Sequence, residues 1–269
     1  MNIRRAAQVA ATLAALVATL GPLEAGGAQA AGRGNIKGHV RLNGKLPGNP
    51  VIRMAADPMC ARMNVGKRVI QMTVAASADG SLANVFIRVQ GTFPQTPVPS
   101  TAVTIDQTGC VYAPRMVGIR VGQVLQVKNN DALLHNVHGI SAHDNGFNIG
   151  QPMAGMVNQF KPKNEEIMLR LKCDIHSWMT AYIGVVPHPY FAVSDDGGAF
   201  QIVNVPAGTH TLQTWHERYG PLSQTVRVAA GGTATVEFTY AGTEPPPTAS
   251  LRDLSPADLP LTPQLIASR

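Results

Sequence analysis

The chain has 269 residues, of which 45% are hydrophobic, 14% are charged and 5% aromatic, with a formal net charge of +6. That is apolar material for one or two domains, and charge spread without a basic run excludes a nucleic-acid-binding tract. The 26 glycines and 20 prolines suit short strands and tight turns better than long helices.

Arg4 and Arg5, an apolar run over 6–20 and then Ala28-Gln29-Ala30 read as a secretory signal peptide occupying residues 1–30, with Ala25 as an alternative cleavage point. The run is too short to span a bilayer comfortably. The expectation is an exported protein, periplasmic or secreted, with no membrane span after cleavage. In such a compartment two of the three cysteines, Cys60, Cys110 and Cys173, should pair, and their spacing leaves open which two.

Beyond residue 34 the chain reads as strands. A first is predicted over 34–42, closed by the Asn43-Gly44 turn, and residues 48–68 read as irregular. Strands follow over 68–75 and 82–89, where Ala83, Val85, Ile87 and Val89 share one face. Residues 91–100, with Pro94, Pro97 and Pro99, form a joint. Short strands over 101–105 and 109–112 bracket a turn at Asp106-Gln107, and 119–128 alternates as one strand. A strand carrying residues 134–138 comes next, then a loop over 141–163 anchored by Phe147, Ile149 and Phe160. Over 166–173 the alternation is strict: Ile167, Leu169, Leu171 and Cys173 lie on one face, so Cys173 should point inward. Strands over 182–186, 190–193, 199–203, 209–216, 223–228 and 233–240 complete the pattern, and 241–269, with Pro245-Pro246-Pro247, reads as a flexible tail.

Chemistry concentrates in Cys173-Asp174-Ile175-His176-Ser177-Trp178-Met179. A thiolate, an imidazole and a thioether within seven residues suit copper, whose one-electron sites use two His, one Cys and a weak axial Met. A second imidazole is offered by His135 or His138. Three apart on a strand, they face opposite sides, and parity leaves the choice open. Met is a poor zinc ligand. His188, between prolines, and His216, at a strand end, read as structural or exposed. No C-x-x-C-H haem motif, G-x-S-x-G elbow or phosphate loop occurs, and no enzyme chemistry is expected.

Residues 122–129 (GQVLQVKN) followed by Leu134-His135-Asn136-Val137 resemble the ligand strand of plastocyanin-like cupredoxins, and Cys173-x-x-His176-x-x-Met179 resembles the contracted ligand loop of amicyanin. The resemblance covers about residues 100–187. It implies a cupredoxin Greek-key β-sandwich holding copper through His135, Cys173, His176 and axial Met179, with Asn136 bracing the loop and His138 as a further candidate ligand. With Cys173 a ligand, Cys60–Cys110 is the remaining disulfide. Asp174-Ile175 departs from the Pro or Gly common in such loops.

Residues 193–202 (VSDDGGAFQI) and 205–212 (VPAGTHTL) resemble a carboxypeptidase regulatory-like β-sandwich, whose opening strands look like Gly38-His39-Val40 and residues 84–87. The expected fold class is therefore all-β, with two sandwiches. The expected order is a signal peptide over 1–30, sandwich residues 31–99, an inserted cupredoxin over 100–187, sandwich residues 188–240 and the tail. Tandem domains are the alternative arrangement. The combination resembles exported bacterial cupredoxin-domain proteins of methylamine-utilisation type. It implies one-electron exchange with a redox partner protein, with Trp178 and an exposed edge of His176 as the docking region. The alternatives are copper binding or delivery, and a non-catalytic structural or binding sandwich.

Overall fold

The structure is a computed structural model describing residues 32–247; the predicted signal peptide and residues 248–269 of the predicted tail lie outside the described residues. The described chain is all-β, with a single six-residue helix among its strands.

Two strands come first: β1 (Arg33–Leu42) and β2 (Phe86–Val89). Between them lie a 3-10 turn at Met54–Ala56 and helix α1 (Pro58–Met63), whose N-cap Asp57 accepts from the Met59 and Cys60 amides ahead of a proline in the first turn. Nine strands follow: β3 (Val103–Gln107), β4 (Tyr112–Ala113), β5 (Met116–Arg120), β6 (Leu125–Asn129), β7 (His135–Ile140), β8 (Phe147–Gln151), β9 (Val157–Phe160), β10 (Glu166–Lys172) and β11 (Thr180–Val186). The last five are β12 (Phe191–Val193), β13 (Ala199–Pro206), β14 (Gly208–His216), β15 (Gly220–Val228) and β16 (Thr233–Tyr240).

Sheet order makes two sandwiches. β1 sits between β13 and β16, and β2 lies between β12 and β14, which pairs onward with β15. Ile36 and Val40 of the first sheet bury against Ile87, Val89 and Leu212 of the second, with Phe238 and Tyr240 filling the same core. The segment β3–β11 forms its own pair, β5-β11-β10-β7-β8 facing β4-β3-β6-β9. Its core contains Ile105, Leu125, Val127, Val137, Leu169, Leu171 and Ile183, together with Cys173 and Met179.

Where the two sandwiches meet, Phe86, Met116, Met168 and Val186 are buried together, with Phe191, Tyr182 and Trp215 against them. The rings sit on bare backbone. A Cβ at Gly118 would stand 2.4 Å from a Phe191 ring carbon, and one at Gly184 would stand 2.5 Å from Phe86. Beside this joint the Arg115 guanidinium donates to both carboxylate oxygens of Glu217, 2.8 Å at the longer.

The structure corrects four local expectations. Residues 68–75 make no strand, only a bridge from Ile70 to Val51, because the Asn49 amide takes both backbone groups of Val74. The expected strand over 119–128 is two. Gly122, at φ 80°, turns the chain, and the Gln123 side-chain Oε1 accepts from the Arg120 backbone amide, so β5 and β6 enter opposite sheets. The turn expected at Asp106-Gln107 lies three residues later, where Gly109 and Cys110 adopt φ 64° and 58° and β3 runs on through Gln107. The predicted 141–163 loop holds β8 and β9, joined by stacked Phe147 and Phe160 rings 3.6 Å apart.

Candidate metal centre

β10 delivers Cys173 and the chain turns tightly before β11. The Met179 amide donates to the His176 carbonyl at 2.8 Å, and the Cys173 amide donates to the Met179 carbonyl at 3.3 Å. These backbone bonds hold Cys173, His176 and Met179 inward, each 1% exposed. β7 pairs antiparallel with β10, Lys172 opposite His138. Continuing that register places Asn136 beside Asp174, whose amide donates to Asn136 Oδ1 at 3.1 Å. The Asn136 amide itself points at Cys173 Sγ, 3.3 Å away.

His135 alternates inward with Val137, both fully buried, whereas His138 faces outward. His138 Nδ1 lies 3.0 and 3.1 Å from the two Asp174 carboxylate oxygens, outside the cluster of His135, Cys173 and His176. The structure thus brings together His135, Cys173 and His176, whose donor atoms all lie within 4.8 Å of one another, and places Met179 in the same core.

The two imidazoles meet through their Nδ1 atoms, 3.1 Å apart, and Cys173 Sγ is 3.5 Å from His176 Nδ1. Each distal nitrogen faces a carboxylate. His135 Nε2 is 2.9 Å from Asp131 Oδ2, and His176 Nε2 is 3.1 Å from Asp57 Oδ2. A neutral ring with its N–H on the carboxylate presents a bare lone pair at Nδ1. Two such lone pairs and a sulfur at this distance need a cation between them, either a proton or a metal.

The electrostatics prepare that position. Burial would raise the Cys173 thiol, but the His135 ring and the backbone amides of Asn136, His176 and Ile175 overturn it and hold the thiol at about 7. Burial would lower His135, and Asp131 and Cys173 more than offset it, so the imidazole is raised. For Asp57, the Cys60 amide and then His176 hold the carboxyl below its usual range. Asp131 is also lowered, the His135 contact and the Cys110 and Gly109 amides outweighing its burial. A metal replacing the proton meets a sulfur already poised to ionise.

Both carboxylates were invisible to the sequence reading. Asp131 stands four residues before His135 between two predicted strands and carries no ligand signal of its own. Asp57-Pro58 is a helix-start signal inside a segment read as irregular. The Cys60–Cys110 disulfide fastens that helix beside the site. One expectation is overturned: His176 has no exposed edge, because Asp57 and its helix cover the ring. Trp178 is half-buried, its ring 5.2 Å from that of His176 and its Nε1 donating to the Cys110 carbonyl at 2.9 Å.

No family model matches the chain, and no curated protein matches it. Among solved structures it is similar to a purple cupredoxin from Nitrosopumilus maritimus, at 22% identity over 30% of this chain and 97% of that one, with a TM-score of 0.27. It is similar also to a reduced tryptophan-to-tyrosine mutant of amicyanin, at 18% identity over 37% of this chain and 97% of that one, TM-score 0.28. A reduced proline-to-phenylalanine mutant of amicyanin matches at 19% identity over 38% of this chain and 98% of that one, TM-score 0.28.

Proposed function

We propose that this is an exported mononuclear copper protein of cupredoxin type, without catalytic activity of its own, that exchanges single electrons with a partner protein. The observation that supports this most is the buried meeting of His135 Nδ1, His176 Nδ1 and Cys173 Sγ, with a carboxylate behind each imidazole. Imidazole and thiolate together favour copper over the hard cations that take oxygen ligands. In this reading His135, Cys173 and His176 would be the strong ligands and Met179 a weak fourth, with His138 taking no part. Bound there, copper supplies a one-electron couple. The chain's own part is to fix the donors before the metal arrives and to keep water away. Asp131 and Asp57 orient the imidazoles, the Asn136 amide steadies the sulfur, and the surrounding core excludes solvent. Little needs to move when the charge changes.

Export is supported by the amino-terminal pattern and by the Cys60–Cys110 disulfide, which suits an oxidising compartment. Among the described residues no helix is long and apolar enough to cross a membrane. We read the sandwich of β1, β2 and β12–β16 as carboxypeptidase regulatory-like, with the copper domain inserted between β2 and β12. The covering of His176 disfavours the delivery reading, which needs an accessible ligand edge.

The test is to load the purified protein with Cu(II) and record metal content, visible absorption and the EPR spectrum. One copper per chain, intense thiolate-to-copper charge transfer lost in Cys173→Ser and kept in His138→Ala, and reversible reduction are expected. Absence of colour with no retained copper would overturn the proposal. Rapid surrender of Cu(I) to a mild chelator would favour delivery instead.

A further inference from the structure

The cover over His176 has a second face. Residues 51–70 form a closed strap, its ends joined by the Val51–Ile70 bridge and by the Ile52 amide donating to the Val69 carbonyl at 2.9 Å. Inside, Met54 and Cys60 are buried in the core that holds Cys173. The Asn64 side-chain amide donates to the Cys60 and Gly109 carbonyls at 2.9 and 3.0 Å, and the disulfide ties α1 to the turn before β4. Asp57 is the strap's only acidic residue and is turned inward onto His176.

Outside, the strap is basic. Arg53, Arg62, Lys67 and Arg68 are all exposed, and none meets a carboxylate among the described residues. The bridge register sets Arg53 across from Arg68. Interleaved with these cations are Met59, 42% exposed, and Val65, 78% exposed. Apolar contacts ringed by unpaired charge of one sign, on a surface already ordered, are what a transient protein interface uses to steer and seat an oppositely charged partner.

We infer that the outer face of residues 51–70 is the docking surface for an acidic electron-transfer protein. This rests on the copper reading above: the strap lies over the ligand that the sequence expectation had left bare, so a partner approaching His176 meets the strap first. A wholly polyanionic ligand would leave the exposed Met59 and Val65 unused, which is why an acidic protein is preferred to nucleic acid or an anionic membrane.

The test is a titration of the isotope-labelled, metal-free full chain with an acidic plant-type ferredoxin, followed by amide shifts at low and high salt. Shifts confined mainly to 51–70, weakening as salt rises, are expected. Arg62→Glu combined with Lys67→Glu and Arg68→Glu should weaken binding at least about tenfold, while Arg227→Glu on β15 should leave it unchanged. Equal binding of a basic cytochrome c, shifts mapping elsewhere, or indifference to the charge reversal would overturn the inference. Tighter binding of phosphatidylglycerol vesicles or of an oligonucleotide would overturn the acidic-protein assignment. Because the titration needs no metal, it separates from the copper test: strap binding by a chain that takes up no copper would overturn the electron-transfer occupant alone.

Discussion

His176 Nε2 lies 3.1 Å from Asp57 Oδ2 although 119 positions separate the two residues. The contact joins a loop after β10 to a helix cap upstream of β2, so the proposed metal centre is completed by a segment outside its own pair of sheets. Asp57 does two things at once. Its Oδ1 accepts from the Met59 and Cys60 amides at 2.8 and 3.0 Å, and its Oδ2 holds the imidazole.

Those two roles can be pulled apart. Asp57→Ser retains a good helix cap, so the unfolding free energy should fall only by the lost contact to the buried His176 ring, about 1–3 kcal/mol. The serine hydroxyl is too short to keep both contacts, and His176 loses its carboxylate. Copper affinity should then fall by about 10- to 100-fold, with faster loss of Cu(I) to a chelator and a raised reduction potential from the lost negative charge. Equal copper affinity and potential in Asp57→Ser would show that the carboxylate merely caps the helix.

Much of this was legible in the chain, for reasons tied to particular residues. Leu169, Leu171 and Cys173 alternate on a strand buried on one side, so the sulfur's direction followed from period alone. His135 against His138 did not, because parity needs to know which face is the core, and Leu134 and Ile140 flank them as persuasively as Val137 does. Gly122 hid the break between β5 and β6, since the alternation of Ile119, Val121, Leu125 and Val127 runs on through the change of sheet. The strap was illegible because its contacts are long-range: Asp57 meets His176 across 119 positions and Cys60 meets Cys110 across 50, and no local pattern marks either pairing.

Two buried histidines away from the site should make the fold sensitive to acid. His188 is 4% exposed and His216 is 1% exposed. Their Nδ1 atoms accept from the Tyr190 and Arg218 amides at 3.2 and 3.1 Å, bonds that a protonated ring cannot accept. Burial first, then Arg88 and Arg120, lowers His188 to about 4; burial first, then Arg115 and Arg218, lowers His216 to about 3. The folded pKa values lie below the unfolded one, so the unfolded chain binds more protons as pH falls through about 6.5. Stability should decline from there, by up to about 1.4 kcal/mol per pH unit for each ring, the His188 share ending near its folded pKa. Because the raised His135 acts with the opposite sign in the same window, urea denaturation of the parent is compared with His188→Gln and His216→Gln at a series of pH values; identical pH profiles in the parent and the variants would show that neither ring titrates as argued.

The joint between the sandwiches predicts a different sensitivity. Gly184 lies under the Phe86 ring, itself 1% exposed and unable to swing away. Gly184→Ala should destabilise the protein by about 1–3 kcal/mol through overpacking. Pairing it with Phe86→Leu should recover part of that loss, because the atoms that clash are ring atoms. Additive losses in the double variant, measured by denaturant unfolding, would place the strain elsewhere.

The disulfide should matter to stability and to the site in separable amounts. Cys60 and Cys110 enclose a sequence separation of 50 residues. Closing a loop of that size restrains the unfolded chain by about 4 kcal/mol in the chain-entropy account. The double variant Cys60→Ser, Cys110→Ser should lose stability of that order, yet β7, β10 and their loop keep their own hydrogen bonds. The strap is then held by Asn64 on Gly109, by Asp57 on His176 and by the burial of Met54, with Ile52, Met63 and Val69 packed against the core. With the covalent tie gone, local opening of 51–70 becomes cheaper than global unfolding. Hydrogen exchange should therefore quicken at the Ala61 and Asn64 amides well before it quickens in β10 and β11. The colour of the copper-loaded protein should persist while its copper becomes extractable. Uniform acceleration across the molecule would mean instead that the strap and the sandwich unfold as one unit, and that α1 covers His176 without any independent freedom to lift.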